Sequence, residues 1–351
     1  METETDKKKQ DHFTLIEDKN NTNTYRSTAP VGIIHTLMKK NYVTIIALLV
    51  LVLFSNNTTA QQDAQYTQYM YNTLSINPAY AGSRDVFSFL GLYRSQWVGL
   101  DGAPKTFTAS MHTPVGKRVG LGLNITNDEI FIAKESYIDI DFSYTLDVGE
   151  QGRLALGIKA GAHLLDIDSN RLNTGAFNPG DPDAFINIDK RFSPQFGVGL
   201  FYHTPKFYLG LSVPNMLETE HFDEAPNSNN SSATARERVN YYMMTGYIFD
   251  LSSEVKFKPA GLVKLVAGAP LQVDVSANFL IYDKLTLGAA YRWSAALSAM
   301  VGFQLSDQFM IGFAYDRETT QLQQFNDGSY EVFLRFELFK RNKRMVSPRF
   351  F

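Results

Sequence analysis

The chain has 351 residues, a formal net charge of −3 and no cysteine. Nothing in that balance marks a nucleic-acid binder, and the missing thiols exclude a disulfide framework and any cysteine-based metal centre. A mean hydropathy of −0.19 is too low for a helical membrane protein, yet 26 Phe and 18 Tyr are many for a soluble domain. Both figures fit a transmembrane β-barrel, which is half polar by construction and carries aromatic girdles.

Residues 1–37 are polar and of mixed charge, and read as a disordered extension upstream of a misassigned start. From Met38 the chain has the three parts of a secretory signal: Lys39 and Lys40, the apolar run Tyr42 to Phe54, and the small residues Thr58 and Ala60. The apolar run is far short of the roughly 20 residues of a spanning helix. Residues 38–60 are therefore expected to be cleaved, leaving Gln61 first. Residues 61–85 precede any strand and are expected on the periplasmic side. Their turn chemistry (Asn77-Pro78, Ala81-Gly82-Ser83) argues against a helix. Tyr66, Tyr69, Met70, Tyr71 and Tyr80 are too apolar for a free tail, so the segment should plug the barrel mouth or meet a partner.

From residue 86 the dominant period is two. In "PLQVDVSANFLIYD", Leu271, Val273, Val275, Ala277, Phe279 and Ile281 share one face, and Gln272, Asp274, Ser276 and Asn278 share the other. "SYIDIDFSYT" and "SYEVFLRFEL" repeat the pattern. Fourteen candidate strands follow, near 86–98, 104–113, 117–127, 134–148, 152–165, 192–203, 206–214, 237–251, 254–266, 270–281, 284–293, 296–305, 308–317 and 328–340. A soluble β-sandwich would show the same alternation. The export signal and the segment length, near ten residues, favour an all-β, transmembrane, up-and-down antiparallel outer-membrane barrel over 86–340, with a periplasmic tail at 341–351. Short even-numbered links alternate with links that include 166–191, 215–236 and 318–327, the asymmetry of periplasmic turns against outer loops. Glycines such as Gly197, Gly199 and Gly210 recur inside strands, where they ordinarily weaken pairing.

Three blocks carry a resemblance. "DAQYTQYMYNTLSINPAYAGSRD", "YRSQWVGLDGAPKTFTASMHTPV" and the closing "SPRFF" resemble the PorP/SprF family of type IX secretion membrane proteins. The resemblance spans nearly the whole chain after residue 60. It implies an outer-membrane barrel that serves type IX secretion and, in some bacteria, gliding motility. Its implied partners are secreted adhesin-type proteins at the cell surface, periplasmic components of the machine, or both.

The candidate site residues fall in three groups. The first block contributes Gln68, Tyr69, Met70, Asn72, Asn77, Pro78, Tyr80 and Gly82. The second contributes Arg94, Gln96, Trp97, Gly102 and Pro104; Arg94 should be luminal, because arginine in lipid is costly. The outer loops contribute Arg171, Phe177, Phe185, His221 and Phe222 as partner contacts. No catalytic, cofactor or metal site is expected. His112, His163 and His203 have no serine at a hydrolase spacing, and "GLSVP" at Gly210 fails the nucleophile pattern at its last position. The facing pairs Asp139/Asp141 and Glu331/Glu337 read as charges neutralised inside a barrel by Lys and Arg on the same faces. "DIDSNR" from Asp166 has calcium-loop spacing at its start but lacks the glycine and the glutamate that complete one. The expected activity is protein binding in type IX secretion. A barrel passing a small or hydrophobic solute is the alternative, and an outer-membrane lipid hydrolase the third reading.

Overall fold

The computed structural model describes residues 65–168, 188–217 and 238–338. Its strands are β1 (Phe87–Ser95), β2 (Lys105–Val115), β3 (Val119–Ile130), β4 (Ala133–Val148), β5 (Gly152–Ile167), β6 (Ile188–His203), β7 (Phe207–Val213), β8 (Asn240–Tyr247), β9 (Phe249–Asp250), β10 (Val255–Val266), β11 (Gln272–Ile281), β12 (Leu285–Arg292), β13 (Ala296–Gln304), β14 (Phe309–Glu318) and β15 (Ser329–Leu338). Neighbours in sequence pair antiparallel, except that β8 and β9 pair with β10 and not with each other. β8 and β9 both lie on β10 and form one wall, interrupted at Ile248, so the walls number fourteen. β1 closes the ring on β15, with Phe87 opposite Leu338 and Ser95 opposite Tyr330.

The links differ at the two ends. Those at 116–118, 149–151, 204–206, 251–254, 282–284 and 305–308 never exceed four residues. The opposite end carries 96–104, 168–187, 214–239 and 319–328 together with three shorter links. These are called the short-turn end and the long-loop end.

The alternation is inside-out relative to a soluble protein. On β4, Asp139, Asp141 and Ser143 are buried, while Ile138, Ile140 and Phe142 are exposed. On β11, Asp274, Ser276 and Asn278 face in, and Val275 and Phe279 face out. A water-soluble sandwich would bury the apolar set, so that alternative does not hold. Aromatic residues mark the outer rims: Tyr93, Phe107, Phe192, Tyr291 and Trp293 towards the long-loop end, and Tyr144, Phe249, Phe279, Phe303 and Phe309 towards the other. Aliphatic side chains such as Ile140, Ile158, Val198 and Leu211 fill the band between them.

Two strands depart from the sequence pattern. β6 begins at Ile188 rather than 192: Arg191 and Ile188 pair with Leu165 and Ile167 across an irregularity at Asp189-Lys190, without apolar alternation. The eighth expected strand, 237–251, is shorter and broken at Ile248, whose N–H turns to the Lys206 carbonyl at 2.8 Å.

The outward face generates a depth-dependent expectation. Ile140→Arg puts a charge at mid-wall and should cost about 2–4 kcal/mol, whereas Glu129→Arg at the rim should cost about 0–1 kcal/mol. Heat-modifiable mobility after refolding into lipid, followed against urea, measures both.

Candidate functional site

The lumen is occupied by the chain's own residues 65–85. Gln65 meets Gln272 and Arg292, at the long-loop ends of β11 and β12. The segment then forms the single turn α1 (Thr73–Ile76) and a 3-10 turn (Pro78–Tyr80). It leaves at the short-turn end, where the Ala81 carbonyl accepts from Ser143 Oγ at 2.7 Å and Asp85 pairs with Arg153 at 3.0 Å. The segment therefore crosses the ring from the long-loop end to the short-turn end. Residues 61–85 are expected from sequence to be a periplasmic segment or a plug; the described part, 65–85, lies within the ring, and preceding β1 in sequence fixes only where it ends. Gln68, Tyr69, Met70, Asn72, Asn77, Pro78 and Tyr80 are all buried inside the ring.

At the long-loop half the segment completes a buried charge cluster. Arg94 of β1 pairs with Asp316 of β14 at 2.7 Å and with Glu331 of β15 at 3.2 Å. The Glu331 carboxylate also accepts the backbone N–H groups of Thr67 and Gln68, at 3.0 and 2.8 Å. Thr67 Oγ1 donates to Asp316 at 2.5 Å and accepts from Arg94 at 3.0 Å. Three strands at the closing seam are thus tied to one peptide unit. Charge-assisted bonds of this kind are about twice as strong as neutral ones. At the short-turn half of the same seam, Arg84 binds Glu337 of β15. Between them Tyr71 packs on Phe333 at 4.5 Å, with Lys258 and Arg335 each under 6 Å from its ring.

On the opposite wall the segment lies backbone to backbone. A Cβ on Gly157 would fall within the backbone of Pro78-Ala79, one on Gly199 against the Asn77 side chain, and one on Gly120 into the Ala81 carbonyl. These glycines are the close-approach surface on which the segment rests. Asn77 fixes the register there. Its Oδ1 accepts the Ala79 N–H at 3.0 Å, and its Nδ2 donates to the carbonyls of Leu200 and Leu211 at 3.0 and 3.4 Å. Ser212 Oγ donates to the Ile76 carbonyl at 2.8 Å. Gly82 has a φ of 71° and donates its N–H to His112 Nδ1 at 3.1 Å.

The second block builds the rim beside the cluster. The Gln96 N–H donates to the Pro104 carbonyl at 2.9 Å, closing the first hairpin. Trp97, at a φ of 45°, donates its indole N–H to Glu318 at 2.8 Å, and Val98 exchanges backbone bonds with Gly328 and Asp327. The Gly102 carbonyl accepts from the Phe131 N–H at 2.9 Å. Arg94 faces the lumen, while Trp97 and Gly102 serve the loop scaffold. The loop residues Arg171, Phe177, Phe185, His221 and Phe222, and the calcium-like run after Asp168, lie outside the described residues. His163 is buried and stacks on Tyr137 at 4.4 Å, and Lys159 pairs with Asp139 at 3.0 Å. The sequence reading missed Thr67, Asp316 and the supporting role of Gly120 and Gly157. Small residues recurring on one luminal face, Ala155 with Gly157 and Gly120 with Gly122, were the available signal.

Two variants separate the latch from the floor. Arg94→Met leaves two buried carboxylates without their cation and should cost about 3–5 kcal/mol of stability, read by urea unfolding in detergent micelles. Gly157→Val suits a strand but not the segment resting on it. The barrel should still form while the segment is displaced, so planar-bilayer recordings should show a steady conductance above that of the parent protein.

Comparison with known proteins gives the fold neighbours and the family. Among solved structures, the Omp33 outer membrane protein of Acinetobacter baumannii aligns at 9% identity and a TM-score of 0.41, covering 72% of this chain and 98% of that one. The CymD monoaromatic hydrocarbon channel aligns at 11% and 0.43, covering 81% and 96%. A FadL homologue of Pseudomonas aeruginosa aligns at 12% and 0.40, covering 72% and 89%. No curated protein matches. The sequence pattern of the type IX secretion system membrane protein PorP/SprF matches residues 58–336, and the chain belongs to that family, as an outer-membrane β-barrel.

Proposed function

We propose that this barrel serves type IX secretion by binding protein rather than by conducting solute or doing chemistry. Its long-loop end would hold a secreted, adhesin-type protein at the cell surface, and its short-turn end would couple to the periplasmic secretion or gliding machinery. The observation that carries this reading is the filled lumen. Tyr69, Leu74 and Leu92 are each no more than 2% exposed inside the ring, and the cluster around Arg94 is sealed. A bore blocked by latched backbone leaves the two rims as the working surfaces. Bacterial barrels of this kind place short turns in the periplasm and longer loops outside, which orients the protein. The loops around 169–187 and 218–237 are the candidate contacts at the surface, with Arg171, Phe177, Phe185, His221 and Phe222 named for substitution. Loops of such length in a compact protein are usually functional or disordered.

A solute-passing barrel is the competing reading, favoured by one observation. A cavity of about 130 Å³ lies between the segment and the wall, lined by Tyr66, Tyr69, Tyr137, Gln195 and Tyr242 among others.

Deleting residues 171–186 tests the binding reading. The strand ladder from Ile188 is untouched, so the barrel should assemble with normal heat-modifiable mobility. A specific exported protein should move from the cell surface to the culture fluid. Unchanged surface and fluid proteins in cells with an assembled barrel would exclude this loop as the contact.

A further inference from the structure

A row across three walls borders the luminal cavity with polar groups. Asp139 of β4 lies opposite Gly161 of β5, and Gly161 lies opposite Gln195 of β6. A Cβ on Gly161 would fall 2.1 Å from Asp139 Oδ1, so the missing side chain lets the carboxylate lie over β5 towards Gln195. Asp139 is 4% exposed. Its Oδ2 is held by Lys159 at 3.0 Å, while Oδ1 has no hydrogen-bond partner among the described residues. Gln195, also 4% exposed, adds an amide that both donates and accepts. Both residues line the cavity of about 130 Å³. A buried acceptor is costly to leave unmet, and this one borders space enough for a donor.

The cavity is a recess. Gln272 is the first residue of β11 and Asn215 follows β7 closely, so the lining reaches the long-loop rim. Its inner end meets Ser75 and Ile76 of α1. There the Ser75 carbonyl accepts from Lys159 at 3.3 Å, and Ser75 Oγ donates to Asn124 at 3.0 Å. The floor is thus built in advance. The volume takes roughly ten water-sized groups, which is one ring with its substituents and no more.

The lining selects the ligand chemistry. Tyr66, Tyr69, Tyr137 and Tyr242 border the space, and amides of Asn124, Gln195, Asn215 and Gln272 stand among them. Aromatic rings pack against apolar C–H faces, and amides match groups that donate and accept at once. A sugar offers both, and one of its hydroxyls supplies the donor that Asp139 Oδ1 requires. The lining also holds three cations, Lys159, Lys264 and Arg238, against the single carboxylate of Asp139. Lys264 lies over the Tyr242 ring at 5.5 Å, towards the rim. That excess calls for an anion on the ligand.

We propose that this recess is a binding site for one acidic sugar unit, free or at the end of a glycan. Its ring lies among the tyrosines, a hydroxyl donates to Asp139 Oδ1, and its carboxylate points to Lys264 and Arg238. The site lies in the lumen and does not depend on which protein the rims meet.

The test uses the full-length barrel in nanodiscs whose lipids carry no sugar. Equilibrium dialysis measures labelled glucuronate, with glucose, cyclohexanecarboxylate and a trisaccharide ending in glucuronate as competitors. Glucuronate should bind saturably, one per barrel. Glucose lacks the carboxylate and cyclohexanecarboxylate lacks the hydroxyls, so each should compete about tenfold less well. A trisaccharide that competes as well as free glucuronate supports a glycan end as the ligand, and one that is excluded supports the free sugar. Gly161→Ala, whose Cβ displaces the Asp139 carboxylate, and Gln195→Leu should each weaken binding about tenfold with the parent's heat-modifiable mobility. If Gly161→Ala does not fold, Gln195→Leu decides. Absence of saturable glucuronate binding, equal competition by cyclohexanecarboxylate, or unchanged binding in the folded variants overturns the proposal. So does rapid swelling of proteoliposomes in glucuronate, which would make the recess a passage.

Discussion

Closure of the sheet is the constraint from which the rest follows. In hydrocarbon a backbone N–H or C=O without a partner costs several kcal/mol, and a strand at an open edge would expose a whole row of them. Pairing β1 with β15 removes both edges at once. It also forces a choice on every side chain. One face of each strand meets lipid and must be apolar, so the polar half of the sequence is confined to the ring. The lumen is therefore crowded with Asp, Glu, Lys and Arg, and these need partners more than they need space. The segment 65–85 supplies part of them, through backbone groups such as the Thr67 and Gln68 N–H and through side chains such as Thr67, Arg84 and Asp85.

A buried ion pair is not in itself strong evidence of stability, since desolvation offsets much of its attraction. What the Arg94 cluster contributes is definition. Arg94, Asp316 and Glu331 come from β1, β14 and β15, and only one register of those strands brings them together with Thr67. A slip of one residue would turn Arg94 towards lipid. The opposite wall works by subtraction: the glycines at 120, 157 and 199 give up side-chain packing so that the segment's backbone can approach. One side of the lumen grips by charge and the other by absence of bulk.

Much of this was legible in the sequence, and the physics says which part. Period two is a property of the strand itself, so Asp274 and Val275 could be assigned to opposite faces without a structure, and Arg94 could be placed inside from the cost of the alternative. Strand ends were less legible where polar residues extend a hairpin beyond the apolar band, as at Asp189 to Arg191. The first block was recognisable as something that must be buried, because four tyrosines and Met70 make it too apolar for a free tail. Its direction was not recognisable. Adjacency to β1 places Asp85, but nothing local says whether Gln65 lies twenty residues away outside the ring or through it. That depends on contacts with Asp316 and Glu331, some 250 residues distant. Two of the three sequence blocks that carry the family resemblance meet there, at Thr67 and Arg94.

The glycine floor also bears on how the barrel is built. The contacts of Ala81, Asn77 and Ile76 reach only as far as Ser143, Leu211 and Ser212, while those of Thr67 and Gln68 must wait for Glu331. Contacts of smaller sequence separation close at lower entropic cost. The segment can therefore settle on β3 to β7 while the sheet is still open, acting as a mandrel about which the remaining strands curl. The last wall to pair then finds its docking groups already in place.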